Sequence, residues 1–317
     1  MRFSYTYAIS EMTLSKHKAT MIGLLGPIFW GMSVGLTRTL AENAGITAGM
    51  AIMNSCATIY LLCIFGWPKL RSFPLMYLIF GVGAAVGSDF FFATSLAISD
   101  GGQQTIEVGM VNYLWPCMTV LGMILFNGQK ARWWIVFGLI TALIGIIHVI
   151  SGDTGFHLSV FAAHIEKNPL SYLLAFIGAF SWAGYSVITR RNATAHNPVV
   201  IIFAVNAVIF TTLYIMGVGP RAHISWNTIG PAVATALIYG SAYAAWNTGI
   251  MKGNPMILGI ASYFTPVLSC LFASFMLGAS LSLNFWMGVI LVVIGSFICF
   301  EATNPRPSRH HAAKTHG

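Results

Sequence analysis

The chain has 317 residues, of which only 8% are charged and 56% are apolar before its 32 glycines are added. Soluble domains carry about 25% charged residues, so a water-exposed surface of this size cannot be clothed and the soluble enzyme classes drop out. The net charge of +8, from 16 Lys and Arg against 8 Asp and Glu, would suit nucleic acid or an anionic surface, until its distribution along the chain is read.

Apolar runs bounded by Pro, Gly and charge predict an all-α integral membrane protein with ten transmembrane helices. A polar N-terminal segment, 1–18, leads into an apolar run too long for the core of a cleavable signal, so that run is the first span. The first five spans lie at about 19–40, 46–67, 74–98, 103–126 and 133–151. A linker, 152–169, carries Phe156, His157, Phe161 and Ile165 and is expected to form an amphipathic turn of helix at the interface. Five more spans follow at about 170–189, 198–217, 229–251, 255–278 and 284–301, and a polar tail, 302–317, closes the chain. An even number of spans puts both termini on one side. Loops on that side hold 13 of the 16 Lys and Arg, leaving Arg38, Lys167 and Arg221 opposite. The positive-inside rule therefore places both termini in the cytoplasm and the linker outside, and nucleic-acid binding becomes unnecessary.

The halves 19–151 and 170–301 repeat the same marks in the same order. Trp30 and Thr37-Arg38 match Trp182 and Thr189-Arg190, Asn54 matches Asn206, and Gly87-Ser88 matches Gly240-Ser241. Tyr113 and Pro116 match Tyr263 and Pro266, while Gly138 and Gly145 match Gly288 and Gly295. Five spans per repeat is an odd number, so the second half enters the membrane upside down. Inverted repeats are the architecture of secondary carriers, because two similar halves of opposite orientation make inward-open and outward-open states nearly equal in energy.

Spans five and ten, with spaced glycines and little polar character, read as packing helices, and so does the Gly83–Gly87 pair in span three. Polar and aromatic residues gather elsewhere. On span eight Tyr239, Tyr243, Trp246 and Ile250 share one helical face with Asn247 beside it; span six offers Gly178, Trp182, Tyr185 and Thr189 at the same spacing, and span one Trp30. On span four Asn112, Pro116 and Thr119 share a face, with Tyr113 and Trp115 adjacent. Mid-span tyrosine and tryptophan need partners for their O–H and N–H groups, which sets them apart from an interfacial belt. Pro116 and Pro266 each break a helix ladder inside a span, as expected at a central site or hinge.

Two acids are embedded, Asp89 in span three and Glu107 in span four. An acid at mid-bilayer costs about 2.5 to 3.5 kcal/mol, so each should face protein or water. Both are candidate coupling groups; Glu107 also reads as a first-turn acid favoured by the helix dipole, and Asp89 as a proton relay or an amine contact. A single acid without a basic in-span partner favours downhill transport over obligatory coupling. The five cysteines sit in apolar stretches, show no metal-type spacing and read as small buried residues. No cofactor or metal is implied. Of the in-span Lys or Arg that polyanion carriers need, only Arg38, near an outer end, comes close, so an aromatic cavity for a neutral or zwitterionic amphipathic solute is expected.

With these residues in view the chain resembles the drug/metabolite transporter superfamily, in its EamA-like branch. The likeness rests on Ile106–Pro116 (IEVGMVNYLWP), Leu125–Lys130 (LFNGQK), Leu170–Tyr172, Ala175–Phe180 (AFIGAF), Tyr243–Asn247 (YAAWN) and Ser262–Ser269 (SYFTPVLS), which fall in both halves. It implies export of phenylalanine, tyrosine and tryptophan, with related aromatic solutes, across a bacterial inner membrane, and makes Tyr113, Trp115, Pro116, Trp182, Tyr243, Trp246, Tyr263 and Pro266 cavity residues. A broader metabolite or drug exporter of the same superfamily is the alternative. An intramembrane aspartyl protease would need paired in-span aspartates, a serine protease an in-span histidine, and a channel rings of charge or a carbonyl filter. There is no G-x4-G-K-[ST] motif, so a solute or ion gradient must drive transport. The partners implied are the substrate and the bilayer; a monomer satisfies all of these readings.

Overall fold

The computed structural model describes residues 14–151, 155–192, 196–220, 225–277 and 281–303, apart from some side chains within them; most of the N-terminal segment and of the polar tail lies outside the described residues. Within these bounds the protein is all α. Six helical stretches are long and apolar enough to cross a membrane: Ile46–Phe65, Tyr77–Ala97, Gln104–Asn127, Pro169–Arg191, Pro255–Phe272 and Leu283–Thr303. Ile135–Ser151 and Val199–Ile215 are shorter apolar helices. With large apolar side chains such as Leu125, Phe180, Ile215 and Phe275 turned outward, this is a multi-pass membrane protein.

In chain order the helices are α1 (Lys16–Ala44), α2 (Ile46–Phe65), α3 (Gly83–Ala97), entered through a π-helical turn at Tyr77–Val82, α4 (Gly101–Asn112), α5 (Trp115–Asn127) and α6 (Ile135–Ser151). The linker holds α7 (Leu158–Lys167), which places a short helix where the apolar pattern predicts one. Then come α8 (Pro169–Arg191), α9 (Val199–Ile215), α10 (Trp226–Lys252), α11 (Pro255–Ala261), α12 (Thr265–Leu277) and α13 (Leu283–Thr303). The first and eighth sequence spans lie on α1 and α10, at 29 and 27 residues, each with an internal proline, Pro27 and Pro231. Local chemistry sets several boundaries. Asn168 and Asn254 accept backbone N–H bonds at the starts of α8 and α11, each followed by a proline, which suits the first helical position.

Pro116 and Pro266 lie at breaks in their spans, as expected, and each break is a restart of the helix rather than a bend. Span four is two helices: α4 ends at Asn112, and Pro116 sits at the start of α5. Span nine breaks likewise, α11 passing through a 3-10 turn at Ser262–Phe264 before α12 begins at Thr265. A proline at the first turn of a new helix has no N–H to lose, so restarting the helix is cheaper than bending it.

The packing is mirrored. The helix α1 runs along α10 and α3 along α8, while α2 meets α9 and α6 meets α13. At the first crossing a Cβ on Gly26 would stand 3.1 Å from the Ala242 carbonyl oxygen; at the second, one on Gly178 would stand 3.3 Å from that of Ser88. Between α6 and α13 a Cβ on Gly138 or Gly145 would meet the carbonyl oxygen of Gly295 or Gly288 at 2.8 Å, so these two are packing helices whose backbones touch. The Gly83–Gly87 pair is no such seam. A Cβ at Gly83 meets nothing within 4 Å, and at Gly87 only Phe91 of its own helix.

All five cysteines are free. Cys299 is buried and Cys63 is exposed on the outer surface, against the expectation that all are buried; an apolar thiol is as compatible with lipid as with a protein interior.

Candidate functional site: an aromatic centre with an acid at its edge

Five rings from α1, α5, α8 and α10 meet in the interior. Trp30 is the hub, with Trp115, Trp182 and Tyr243 edge to face at centroid separations of 5.9, 5.4 and 5.6 Å, and Trp246 tilted at 5.4 Å. Trp115 meets Trp246 at 5.4 Å, and Trp182 meets Tyr243 at 4.8 Å. These spacings fall in the favourable range for ring pairs, worth about 0.5 to 1.5 kcal/mol each beyond burial. The helical spacing of Tyr243 and Trp246 presents both on the face of α10 that α1 crosses at Gly26, where a side chain on α1 would hold the rings apart.

The polar handles of these rings differ. The Trp246 indole N–H donates to Ser186 Oγ at 3.2 Å, whereas the Trp30 Nε1 donor is buried with no partner among the described residues. Tyr243 donates through its hydroxyl to Asp89 Oδ1 at 2.5 Å. Asp89, 8% exposed, also accepts from Asn206 Nδ2 at 2.7 Å. It makes no ion pair among the described residues, and Asn206 Oδ1 is buried without a donor. The aromatic centre thus ends in a corner of acceptors formed by α3 and α9 and joined to the rings by Tyr243.

The other candidates surround this centre. Tyr185 touches Trp182 at 5.2 Å and donates to Asn247 Oδ1 at 2.7 Å. Asn247 in turn donates to Asn197 Oδ1 at 2.9 Å, so this buried pair is fully engaged. Asn112 and Tyr113 lie at the break between α4 and α5, Tyr113 partly buried against the core. Pro116 and Pro266 are buried at the starts of their helices, and Tyr263 is buried in the 3-10 turn beside Cys117. None of these five joins the ring cluster. Their place is in the two broken segments, where turning backbone takes the side chains off the α-helical face that their spacing suggests.

Glu107 is not a first-turn acid. It lies in the second turn of α4 and accepts from Tyr172 of α8 at 2.5 Å and from His164 Nδ1 of α7 at 3.0 Å. It ties the linker helix to the bundle, a role that sequence reading missed because His164 and Tyr172 are 57 and 65 residues away. Asn206 was legible only as a repeat mark, although an amide in an apolar run signals a buried partner. Among the described residues no three His, Cys, Asp or Glu side chains gather as metal ligands would.

A multi-pass bundle with an aromatic, acid-edged interior and broken helices beside it is the anatomy of a membrane transporter. Residues 169–300 match the EamA-like transporter family. The chain is 41% identical over 293 residues to the aromatic amino acid exporter YddG of Salmonella typhimurium, spanning 92% of this chain and 100% of that one. It is 41% identical over 290 residues to YddG of Escherichia coli K12, at 92% and 99% coverage. A YddG from Ancylobacter novellus is 27% identical over 277 residues, at 81% and 88% coverage. A crystal structure at 24% identity superposes with a TM-score of 0.74 over 92% of this chain and 100% of its own, a likeness of fold. The chain belongs to the EamA-like transporter family, and it is a transporter, not an enzyme.

Proposed function

We propose that this protein is a secondary carrier that exports phenylalanine, tyrosine and tryptophan, with related aromatic solutes, across the bacterial inner membrane. It crosses the bilayer ten times as two inverted five-span halves, 19–151 and 170–301, with both termini cytoplasmic and the linker outside, and it works by alternating access. The observation that carries this reading is the ring cluster itself: Trp30 and Trp115 come from one half and Trp182, Tyr243 and Trp246 from the other. A solute seated among these rings would touch both halves, and rocking one half on the other would then change its exposure from one side to the other. The inversion is supported by the mirrored packing, since α1 with α10 and α8 with α3 are counterpart pairs, as are Gly26 and Gly178. The aromatic substrate class is supported by the relatives, whose names specify it. The substrate's own gradient suffices to drive export.

Two experiments test this. Purified protein in liposomes preloaded with tryptophan should take up labelled tryptophan by saturable counterflow. Trp246→Ala should lower that rate at least tenfold at normal abundance, and Tyr113→Ala, at the helix break, should lower it as well. Unchanged rates in both variants would assign the rings to packing. Reporter fusions at Lys130 and Lys167 should show phosphatase activity only at Lys167, and activity at Lys130 would overturn the inverted topology.

A further inference from the structure

The corner at Asp89 is incomplete in a specific way. The carboxylate is held by two neutral donors, Tyr243 and Asn206, with the Tyr239 hydroxyl close by, and has no cation against it among the described residues. A carboxylate has about four acceptor sites; the Tyr243 and Asn206 bonds use two and the Tyr239 hydroxyl is within reach of a third, which leaves capacity for a further donor. Beside it the Asn206 Oδ1 is a second buried acceptor with no donor among the described residues, although the same amide donates to Asp89. Buried polar atoms are nearly always paired, and a charge taken out of water without a counter-charge is strongly unfavourable. Two neighbouring buried acceptors, one of them a carboxylate, call for a positively charged group with several N–H donors.

Resting on the carrier reading above, we propose that Asp89 and Asn206 bind the α-ammonium of the exported amino acid. Tyr243 joins the two parts of the site, since its ring packs on Trp30 and Trp182 while its hydroxyl holds Asp89. A primary ammonium brings three donors, enough to reach both open acceptors while the aromatic side chain lies among the tryptophans. The Trp30 indole N–H, buried at the hub and unpaired among the described residues, is a further unused donor in the ring cluster. Asp89 is therefore a specificity residue: it separates amino acids and amines from aromatic acids that share the same ring.

The test uses full-length protein in liposomes, with labelled-tryptophan counterflow inhibited by tryptamine, which keeps the ammonium, or by indole-3-propionate, which keeps only the carboxylate. Wild type should be inhibited by tryptamine at a concentration at least tenfold lower than by indole-3-propionate. In Asp89→Asn that ratio should fall to near one and the KM for tryptophan should rise about tenfold, while Asp89→Glu retains most of the wild-type ratio. Equal inhibition by the two analogues in wild type would overturn the proposal, an arm that does not depend on whether any variant folds. So would an Asp89→Asn protein that keeps the wild-type ratio. Absence of all wild-type counterflow would instead overturn the carrier reading beneath it.

Discussion

Asp89 and Glu107 are both buried acids that accept a hydroxyl bond from a tyrosine, yet their surroundings differ in kind. Glu107 is enclosed by groups that hold the linker helix: His164 from α7, Tyr172 from α8, and close by the amide of Gln104, which donates to the His164 carbonyl. Asp89 is reached only by neutral donors from α9 and α10, and those helices carry or adjoin the rings of the aromatic centre. Burial does not separate the two, since both are more than nine-tenths buried. The difference lies in the partner: Glu107 meets an ionisable imidazole, whereas Asp89 meets no Lys, Arg or His among the described residues. We read the acid at Glu107 as a structural tie, and on the binding proposal the partner missing at Asp89 is the substrate's ammonium.

Substitutions can break this contrast at several strengths. The largest effect on stability is expected for Glu107→Ala, which strips the acceptor from two buried or half-buried donors and should cost about 2 kcal/mol, seen as a lower thermal midpoint in detergent. Counterflow by the surviving protein should keep its preference for tryptamine over indole-3-propionate. Tyr172→Phe removes one of those bonds and should cost about 1 kcal/mol by the same measurement. Asn206→Leu fills a similar volume without the acceptor oxygen, and we expect a threefold or greater loss in tryptophan affinity with the linker end unaffected. The smallest change belongs to His164→Ala. This histidine is 31% exposed at its side chain, and such partly solvated pairs contribute below about 1 kcal/mol, so its thermal midpoint should move least. If His164→Ala or Glu107→Ala altered the tryptamine preference more than Asn206→Leu does, the two acids would have been assigned the wrong way round.

Much of this was legible in the sequence, and the parts that were not share a cause. Apolar runs mark the membrane helices because nothing else buries so many Leu, Ile and Val without charge. The aromatic faces of α8 and α10 follow from spacings of three and four, which put Trp182 with Tyr185 and Tyr243 with Trp246, but that these faces meet Trp30 does not follow from spacing. The partners of the acids could not be found that way. Asn206 and Asp89 are 117 residues apart and Tyr243 and Asp89 are 154 apart, and which helix faces which is decided by interhelical packing that no local pattern encodes. The same limit explains Gly83 and Gly87, whose spacing suits a helix contact but whose face meets no neighbouring helix. At Pro116 and Pro266 the break was legible but its form was not, because a proline both ends one ladder and starts the next.

The central claim, that substrate sits among the five rings, is tested most directly by photolabelling. A photoreactive phenylalanine analogue such as 4-azidophenylalanine, irradiated with the wild-type protein in liposomes and followed by peptide mapping, should attach to the stretches bearing Trp30, Trp115, Trp182 and Trp246, and excess tryptophan should suppress that labelling. Adducts confined to other regions, such as the polar recess between Lys130 and Asn254, or labelling of the ring stretches that tryptophan does not suppress, would contradict it.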